Sequence, residues 1–222
     1  EYFLPLIKRQ EIADKTWAFW FALPRRSSAK AGYYPFSFKA GQNADFGVGD
    51  VRTFSIASSP NDHETIMIAV RRLGGSDFKK NLMTMPIGTK VRVQGPLGDF
   101  VLPKKSDRPI VMLAGGIGIT PMLSMIAWAT EEKLPHKITL FFANSSPKRA
   151  TFLKELEELQ AQNKNFKFIP VFERIQKSLL NPQPDTRYYL AGPPGFVAGM
   201  RAILDEAGMD EDNIRTEEFS GY

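Results

Sequence analysis

The sequence predicts two folds in succession: a small antiparallel β-barrel over residues 1–104, then a doubly wound, parallel α/β sheet over residues 105–222. Three observations carry this. Short runs with strand periodicity, separated by turns containing glycine or proline, fill residues 10–103, as in small antiparallel barrels. From about Ser106, continuous apolar strands alternate with helical segments, the pattern of a parallel sheet covered on both faces. Between them, Pro103-Lys104-Lys105-Ser106-Asp107 has the composition of a linker. The chain has 222 residues, 43% hydrophobic and 24% charged, enough for one large core or two small ones. Disordered and collagen-like classes are excluded.

The elements follow in order. Residues 17–23 partly alternate large and small apolar side chains, residues 65–70 are rich in β-formers, and Lys90-Val91-Arg92-Val93-Gln94 alternates polar residues with valine. Turn signals fall at residues 40–42, 47–50, 59–62, 74–75 and 95–98. Ser76 is placed to cap a short helix over residues 77–83. In the second half, strands are predicted at 110–114, 138–142, 167–172 and 188–190. Helices are predicted from Pro121 to about Lys133, from Thr151 to about Gln162 with Phe152, Leu153, Leu156 and Leu159 on one stripe, and near 196–207.

Residues 109–130, 22 in number, carry no charged side chain and are long enough to span a bilayer. Gly115, Gly116, Gly118 and Pro121 lie in their middle, where a lipid-exposed helix could not satisfy its backbone. A buried strand, a glycine turn and a buried helix are expected instead of a transmembrane segment. Glu1 to Pro5 lacks the basic flank and apolar run of a secretory leader, and a first residue other than Met fits a chain trimmed from something longer. A cytoplasmic location is the expectation.

With no cysteine, disulfides, Cys-ligated zinc, Cys-ligated iron–sulfur clusters and a thiolate nucleophile are excluded together. His63 and His136 have no second His at ligand spacing, so no metal site is expected. Redox chemistry in this chain therefore requires a bound organic cofactor. The formal net charge is +5. The basic residues fall in pairs such as Arg25-Arg26, Arg71-Arg72, Lys79-Lys80 and Lys104-Lys105, not in the long blocks of nucleic-acid arms, so no nucleic-acid partner is expected. A solvated basic surface and a basic face attracting an anionic cofactor or acidic protein both remain open.

Four motifs can carry chemistry. Gly115-Gly116-Ile117-Gly118-Ile119-Thr120-Pro121 sits where a strand meets a helix. Glycines there admit a pyrophosphate, and helix N-terminal amides favour an anion; the plain alternative is a tight strand-to-helix connection. Leu190-Ala191-Gly192-Pro193-Pro194-Gly195 lies at the carboxyl end of another strand, where open α/β sheets bind ligands, although such turns are common. Arg52-Thr53-Phe54-Ser55 offers a guanidinium for phosphate, a ring for a planar heterocycle and a hydroxyl for its edge, with Arg52 and Phe54 sharing one face of a strand; an ordinary amphipathic strand is the alternative. Arg71-Arg72-Leu73-Gly74-Gly75-Ser76 adds cations, a glycine turn and a helix start.

Taken together and in order, these motifs resemble the ferredoxin-NADP reductase family, in which an FAD-binding barrel precedes an NAD(P)-binding domain. The resemblance spans nearly the whole chain and includes Phe38-Lys39-Ala40-Gly41-Gln42, Gly95-Pro96-Leu97-Gly98 and the terminal Glu217-Glu218-Phe219-Ser220-Gly221-Tyr222. It implies a Greek-key barrel, FAD and NAD(P)H as cofactors, and hydride transfer from NAD(P)H to flavin N5, with electrons passed on to a separate acceptor such as a ferredoxin-like protein. Arg52 would pair with the FAD diphosphate, Phe54 would pack on the isoalloxazine where the family usually has Tyr, and Ser55 would reach N5. Thr53, Val70 and Arg71 are further FAD contacts, and Gly75 with Ser76 the diphosphate cradle. Gly115, Gly116, Gly118 and Thr120 would hold the dinucleotide diphosphate, with Gly192 and Pro193 bordering the nicotinamide. Phe219 or Tyr222 would cover the flavin, and Glu218 would relay a proton; Ser55, Glu218 and Tyr222 are thus the candidate catalytic residues.

Two departures stand out. Ala191 occupies the position where the family usually has Cys before Gly-Pro-Pro, beside the hydride path. Residues 172–180 are short for the strand–helix unit expected there. Ala143-Asn144-Ser145-Ser146-Pro147-Lys148-Arg149 has no acid and ends in two cations, which leans toward NADPH over NADH. Two alternatives stay open: a flavin or ferric reductase with loosely held flavin, and a flavin-binding interaction module without turnover.

Overall fold

The structure, a computed structural model, describes residues 1–24, 36–71, 75–105 and 107–219. Strand β1 (Tyr2–Ala13) organises the first half. Its residues 2–5 pair with β6 (Lys90–Leu97), and the remainder pairs with β2 (Thr16–Ala22), both antiparallel. Register shifts at Leu6/Lys8 and Glu11/Ala13 interrupt it, and such irregularities bend a strand, so one strand serves two parts of a curved sheet. With β3 (Asn43–Val48), β4 (Asp50–Ser55) and β5 (Thr65–Arg71), the order is β4-β3-β6-β1-β2-β5. This six-stranded, barrel-like antiparallel sheet matches the predicted class. The alternation expected in β6 is present: Val91 and Val93 are buried, Lys90 and Arg92 exposed. Leu4, Phe19, Phe21, Phe46, Ile66 and Ile68 fill the interior. Helix α1 (Asp77–Thr84) adds Phe78 and Leu82 to that core, and its N-cap is the predicted Ser76, whose Oγ accepts from the Lys79 amide.

The second half runs β7 (Ile110–Gly115), α2 (Ile119–Glu131), β8 (Ile138–Ala143), α3 (Leu153–Gln162), β9 (Phe166–Val171), α4 (Lys177–Leu180), β10 (Arg187–Gly192), α5 (Pro194–Glu206) and β11 (Ile214–Glu218). The strands form one parallel sheet in the order β11-β10-β7-β8-β9. The winding reverses between β7 and β10, and the carboxyl ends of strands at such a switch point form a ready crevice.

The long uncharged stretch is explained by α2. Nine of its thirteen residues are buried, as befits a helix apolar all round. One apolar cluster unites Ala18, Met67 and Ala69 of the barrel strands with Ile117 in the turn before α2 and Met122 and Met125 within it. Polar contacts cross at the same level: the Ser124 hydroxyl donates to the Ser58 carbonyl at 2.6 Å and the Tyr189 hydroxyl to the Val101 carbonyl at 2.8 Å. Among the described residues, no helix is long and apolar enough to cross a membrane.

Some boundaries differ from expectation. α2 starts at Ile119, because Gly116–Gly118 form a 3-10 turn that leads into it. α3 starts at Leu153, because Phe152 takes a left-handed conformation with φ 59°. β11 is an additional strand, with three of its five residues exposed; an edge strand of such polarity carries little periodic signal. Residues 172–180 hold only the four-residue α4, in keeping with their shortness.

Candidate functional site

A cleft of about 670 Å³ lies between the two halves. The edge strand β4 forms one wall through Val51, Arg52, Thr53, Phe54 and Ser55. Ala69, Val70 and Arg71 of β5, with Ser76, Phe78 and Lys79 at the start of α1, form the next. The third comes from the α/β half: Ile117 and Thr120 after β7, and Glu217, Glu218 and Phe219 at the end of β11. The antiparallel ladder explains the first wall. Arg52 pairs with Phe46 and Phe54 with Ala44, both inward-facing partners, so Arg52 and Phe54 share a face as predicted.

Phe54 stacks on Phe78 with ring centroids 5.5 Å apart and meets Phe46 edge-on, leaving an apolar platform beside polar groups. Arg52 is half exposed and ion-paired with Asp50 at 2.7 Å. Lys79 also lines this end. Burial, and next the Arg52 charge, hold its ammonium below the usual lysine range, so two cations face a common space. The Thr120 hydroxyl donates to the Ile117 carbonyl.

Gly118 is required by space and Gly116 by its left-handed backbone. A Cβ on Gly118 would run into the Ala191 carbonyl oxygen, and one on Gly116, whose φ is +54°, would lie 3.0 Å from Arg71 Nη1. The turn after β7 thus presses against the end of β10. Gly115 and Gly192 both pack against the Phe196 ring. The Phe219 amide donates to the Gly192 carbonyl at 3.0 Å, which fixes where the chain leaves β11. Ala191 is fully buried within the cluster that joins the two halves.

At the inner end of the cleft, Glu217 Oε1 accepts from Asn43 Nδ2 at 3.1 Å. Glu217 Oε2 and Ser55 Oγ are both buried and have no hydrogen-bond partner among the described residues; the serine hydroxyl approaches the carboxyl without closing a well-formed hydrogen bond. Burial pushes the Glu217 carboxyl above its ordinary range. Asn43 and Ser55 oppose that rise, and the Asp99 charge adds to it.

Of the predicted residues, Arg52, Thr53, Phe54, Ser55, Val70, Arg71, Ser76, Thr120, Glu218 and Phe219 line this one cleft. Gly75 adjoins Ser76, while Gly115, Gly116, Gly118, Gly192 and Pro193 sit at the strand ends behind it. Tyr222, Ser220, Gly221, Arg72, Gly74 and the linker residue Ser106 lie outside the described residues. Glu218 is exposed, and the half-buried carboxyl is that of its neighbour Glu217. Asn43, Lys79 and Glu217 were not singled out from the sequence. Asn43 directly follows the Gly41-Gln42 turn, and Glu217 differs from Glu218 in the side of β11 it occupies, on a strand with little hydrophobic pattern. No group of three His, Asp or Glu that could hold a metal occurs among the described residues.

Residues 3–102 match the family described as "Oxidoreductase FAD-binding domain", and residues 112–202 match "Oxidoreductase NAD-binding domain". A component of the Na(+)-translocating NADH-quinone reductase of Haemophilus ducreyi is 26% identical over 202 residues, 77% of this chain and 49% of its own length. NADH-cytochrome b5 reductase 1 of Aspergillus clavatus is 28% identical over 180 residues, 71% of this chain and 58% of its own. The chain thus spans about half the length of the curated relatives it matches. The FAD/NAD-binding domain of a Vibrio cholerae nitric oxide dioxygenase superposes with a TM-score of 0.82 at 22% identity, covering 98% of both chains, a likeness of fold.

The two halves are therefore an FAD-binding domain and an NAD-binding domain of an oxidoreductase. The chain belongs to the oxidoreductases that join these two domains, and its fold is like that of the ferredoxin-NADP+ reductase of Plasmodium falciparum, with a TM-score of 0.78 at 14% identity. The residues present fit both groups. The cleft volume falls within the range of about 300–1,000 Å³ usual for small-molecule sites. Its inner end offers the unpartnered Ser55 hydroxyl and Glu217 oxygen, and its outer end two cations and a helix start.

Proposed function

We propose that this chain is the flavin-reducing unit of an electron-transfer system, taking hydride from NAD(P)H and passing electrons to a separate acceptor. The observation that carries this reading is the single cleft that faces Arg52, Phe54 and Ser55 of the barrel toward Thr120, Glu217 and Phe219 of the α/β half. When bound there, FAD and the nicotinamide supply the redox chemistry themselves. The chain's own residues bind and orient. Arg52, Lys79 and the first turn of α1 hold the flavin phosphates, and the Phe54 face packs on the ring system. Ser55 meets the reacting edge of the flavin, with Glu217 behind it to exchange a proton with solvent. The glycine turns after β7 and β10 seat the dinucleotide diphosphate and nicotinamide. The flavin domain is proposed to comprise residues 1–104 and the nicotinamide domain residues 105–222.

The absence of cysteine in all 222 residues leaves no cysteine ligand within them for an iron–sulfur centre, which supports an acceptor outside these residues, in another molecule or in a further part of a longer protein. The two relatives are named for a quinone and for cytochrome b5, so the acceptor class is open to direct screening. Both are also named for NADH, while Lys148 and Arg149 suit a 2′-phosphate. Arg149 already faces Asp14 at 3.9 Å and donates to Ser145. Because the donor is a reduced nicotinamide, the proposed location is the cytoplasm. Reconstitution with FAD followed by anaerobic addition of NADH or NADPH tests the reading: retained flavin should bleach, and the ratio of the two rates assigns the donor.

A further inference from the structure

We infer that Asn43 is a positioning residue for proton exchange in the cleft, reaching from β3 across the domain boundary to hold the Glu217 carboxyl beside Ser55. The inference rests on the flavin reading of the cleft and adds to it a residue that controls the state of the carboxyl.

The sheet register supplies the placement. Asn43 on β3 stands directly opposite Ser55 on β4, and opposite residues of an antiparallel pair project to the same face. One ladder position of the barrel therefore presents both side chains that meet Glu217. The carboxylate comes from the other half of the molecule, on β11, where Glu217 is in register with Ala191 of β10. Gly98 leaves the amide its room, since a Cβ there would lie 3.0 Å from Asn43 Nδ2. The 3.1 Å hydrogen bond joins residues 174 apart in sequence.

The chemistry follows from the donor. An amide N–H favours the ionised carboxylate. It works against burial, and against the Asp99 charge from the loop after β6, while Ser55 assists it. The other Glu217 oxygen has no partner among the described residues, so Asn43 donates the one closed hydrogen bond this carboxyl accepts there. Without it, the buried carboxyl holds its proton to higher pH and gives it up to solvent less readily.

The test follows the Glu217 side-chain carboxyl by carbon-13 NMR titration of the full chain, with and without FAD, using Glu217→Gln to assign the resonance. Asn43→Ala is expected to raise the titration midpoint by about one pH unit, a tenfold change in proton affinity. Asn43→Asp, which keeps the shape but removes the donor and adds a charge, is expected to raise it at least as far. In FAD-loaded protein, the pH profile of flavin reoxidation by ferricyanide should move in parallel. An unchanged midpoint in either variant overturns the inference, as does a profile that stays in place while the midpoint moves. If Asn43→Ala does not fold, Asn43→Asp carries the same test. A wild type that retains no FAD but shows the midpoint shifts would sink the flavin reading while upholding the Asn43–Glu217 coupling.

Discussion

Gly118 lies so close to Ala191 that a single added carbon would run into the Ala191 carbonyl oxygen. The contact joins the turn after β7 to the end of β10, the two strand ends between which the sheet reverses its winding. A nicotinamide dinucleotide placed at this crevice depends on both turns at once. Gly118→Ala must separate them, at a cost of about 1–3 kcal/mol, typical of an overpacked site. The expected result is a lowered Tm and at least tenfold weaker NADH or NADPH binding, with FAD still retained. Unchanged nicotinamide affinity in a titration of the FAD-loaded variant would count against this site.

Arg52→Glu is expected to abolish FAD retention on gel filtration. The wild-type guanidinium is ion-paired with Asp50 but half exposed, and such pairs are weak enough to exchange for a phosphate. Reversal of the charge leaves two acids where the diphosphate would lie. Unchanged flavin occupancy contradicts the assigned role.

Lys79→Met should weaken FAD binding about tenfold and leave riboflavin binding unchanged, because riboflavin carries no phosphate. In the flavin-free protein the ammonium is held below the usual range by burial and by Arg52. The charge that attracts phosphate is therefore present below that lowered value and lost as pH rises through it, so FAD affinity should fall with rising alkalinity in the wild type. The variant should lack that dependence, as seen by fluorescence titration across pH 7–10.

Glu217 gives a stability signature of its own. Its native carboxyl binds a proton more tightly than in the unfolded chain, so the native state carries more protons between the ordinary glutamate value of 4.5 and the raised one. The stability of the flavin-free protein should fall as pH rises through that window, and Glu217→Gln should flatten the slope. Chemical denaturation at a series of pH values measures it. A slope equal in both proteins would show that the carboxyl is not perturbed.

Much of this architecture was legible in the sequence, for identifiable reasons. The charged–valine alternation of β6, the unbroken apolar run of β7 and the Ser76 cap are local signals, and each appears in the structure where expected. The cleft wall Arg52-Thr53-Phe54-Ser55 was legible because its chemistry lies on consecutive residues. Asn43, Lys79 and Glu217 were not, because they reach the cleft only through pairing of distant segments. Asn43 meets Glu217 across 174 positions, and Glu217 differs from Glu218 only by which side of β11 it occupies. That strand is an exposed edge with little hydrophobic pattern, so the buried acid could not be told from the exposed one.

In the proposed function, one cleft brings a flavin on the barrel to a nicotinamide on the α/β sheet. Anaerobic stopped-flow absorbance at about 450 nm on the FAD-reconstituted chain tests it most directly, since a bound flavin's visible absorption reports its oxidation state. Retained flavin should bleach rapidly on addition of NADH or NADPH, with Gly118→Ala slowed and Arg52→Glu colourless. Flavin that stays bound and oxidised in the presence of both nicotinamides would contradict it.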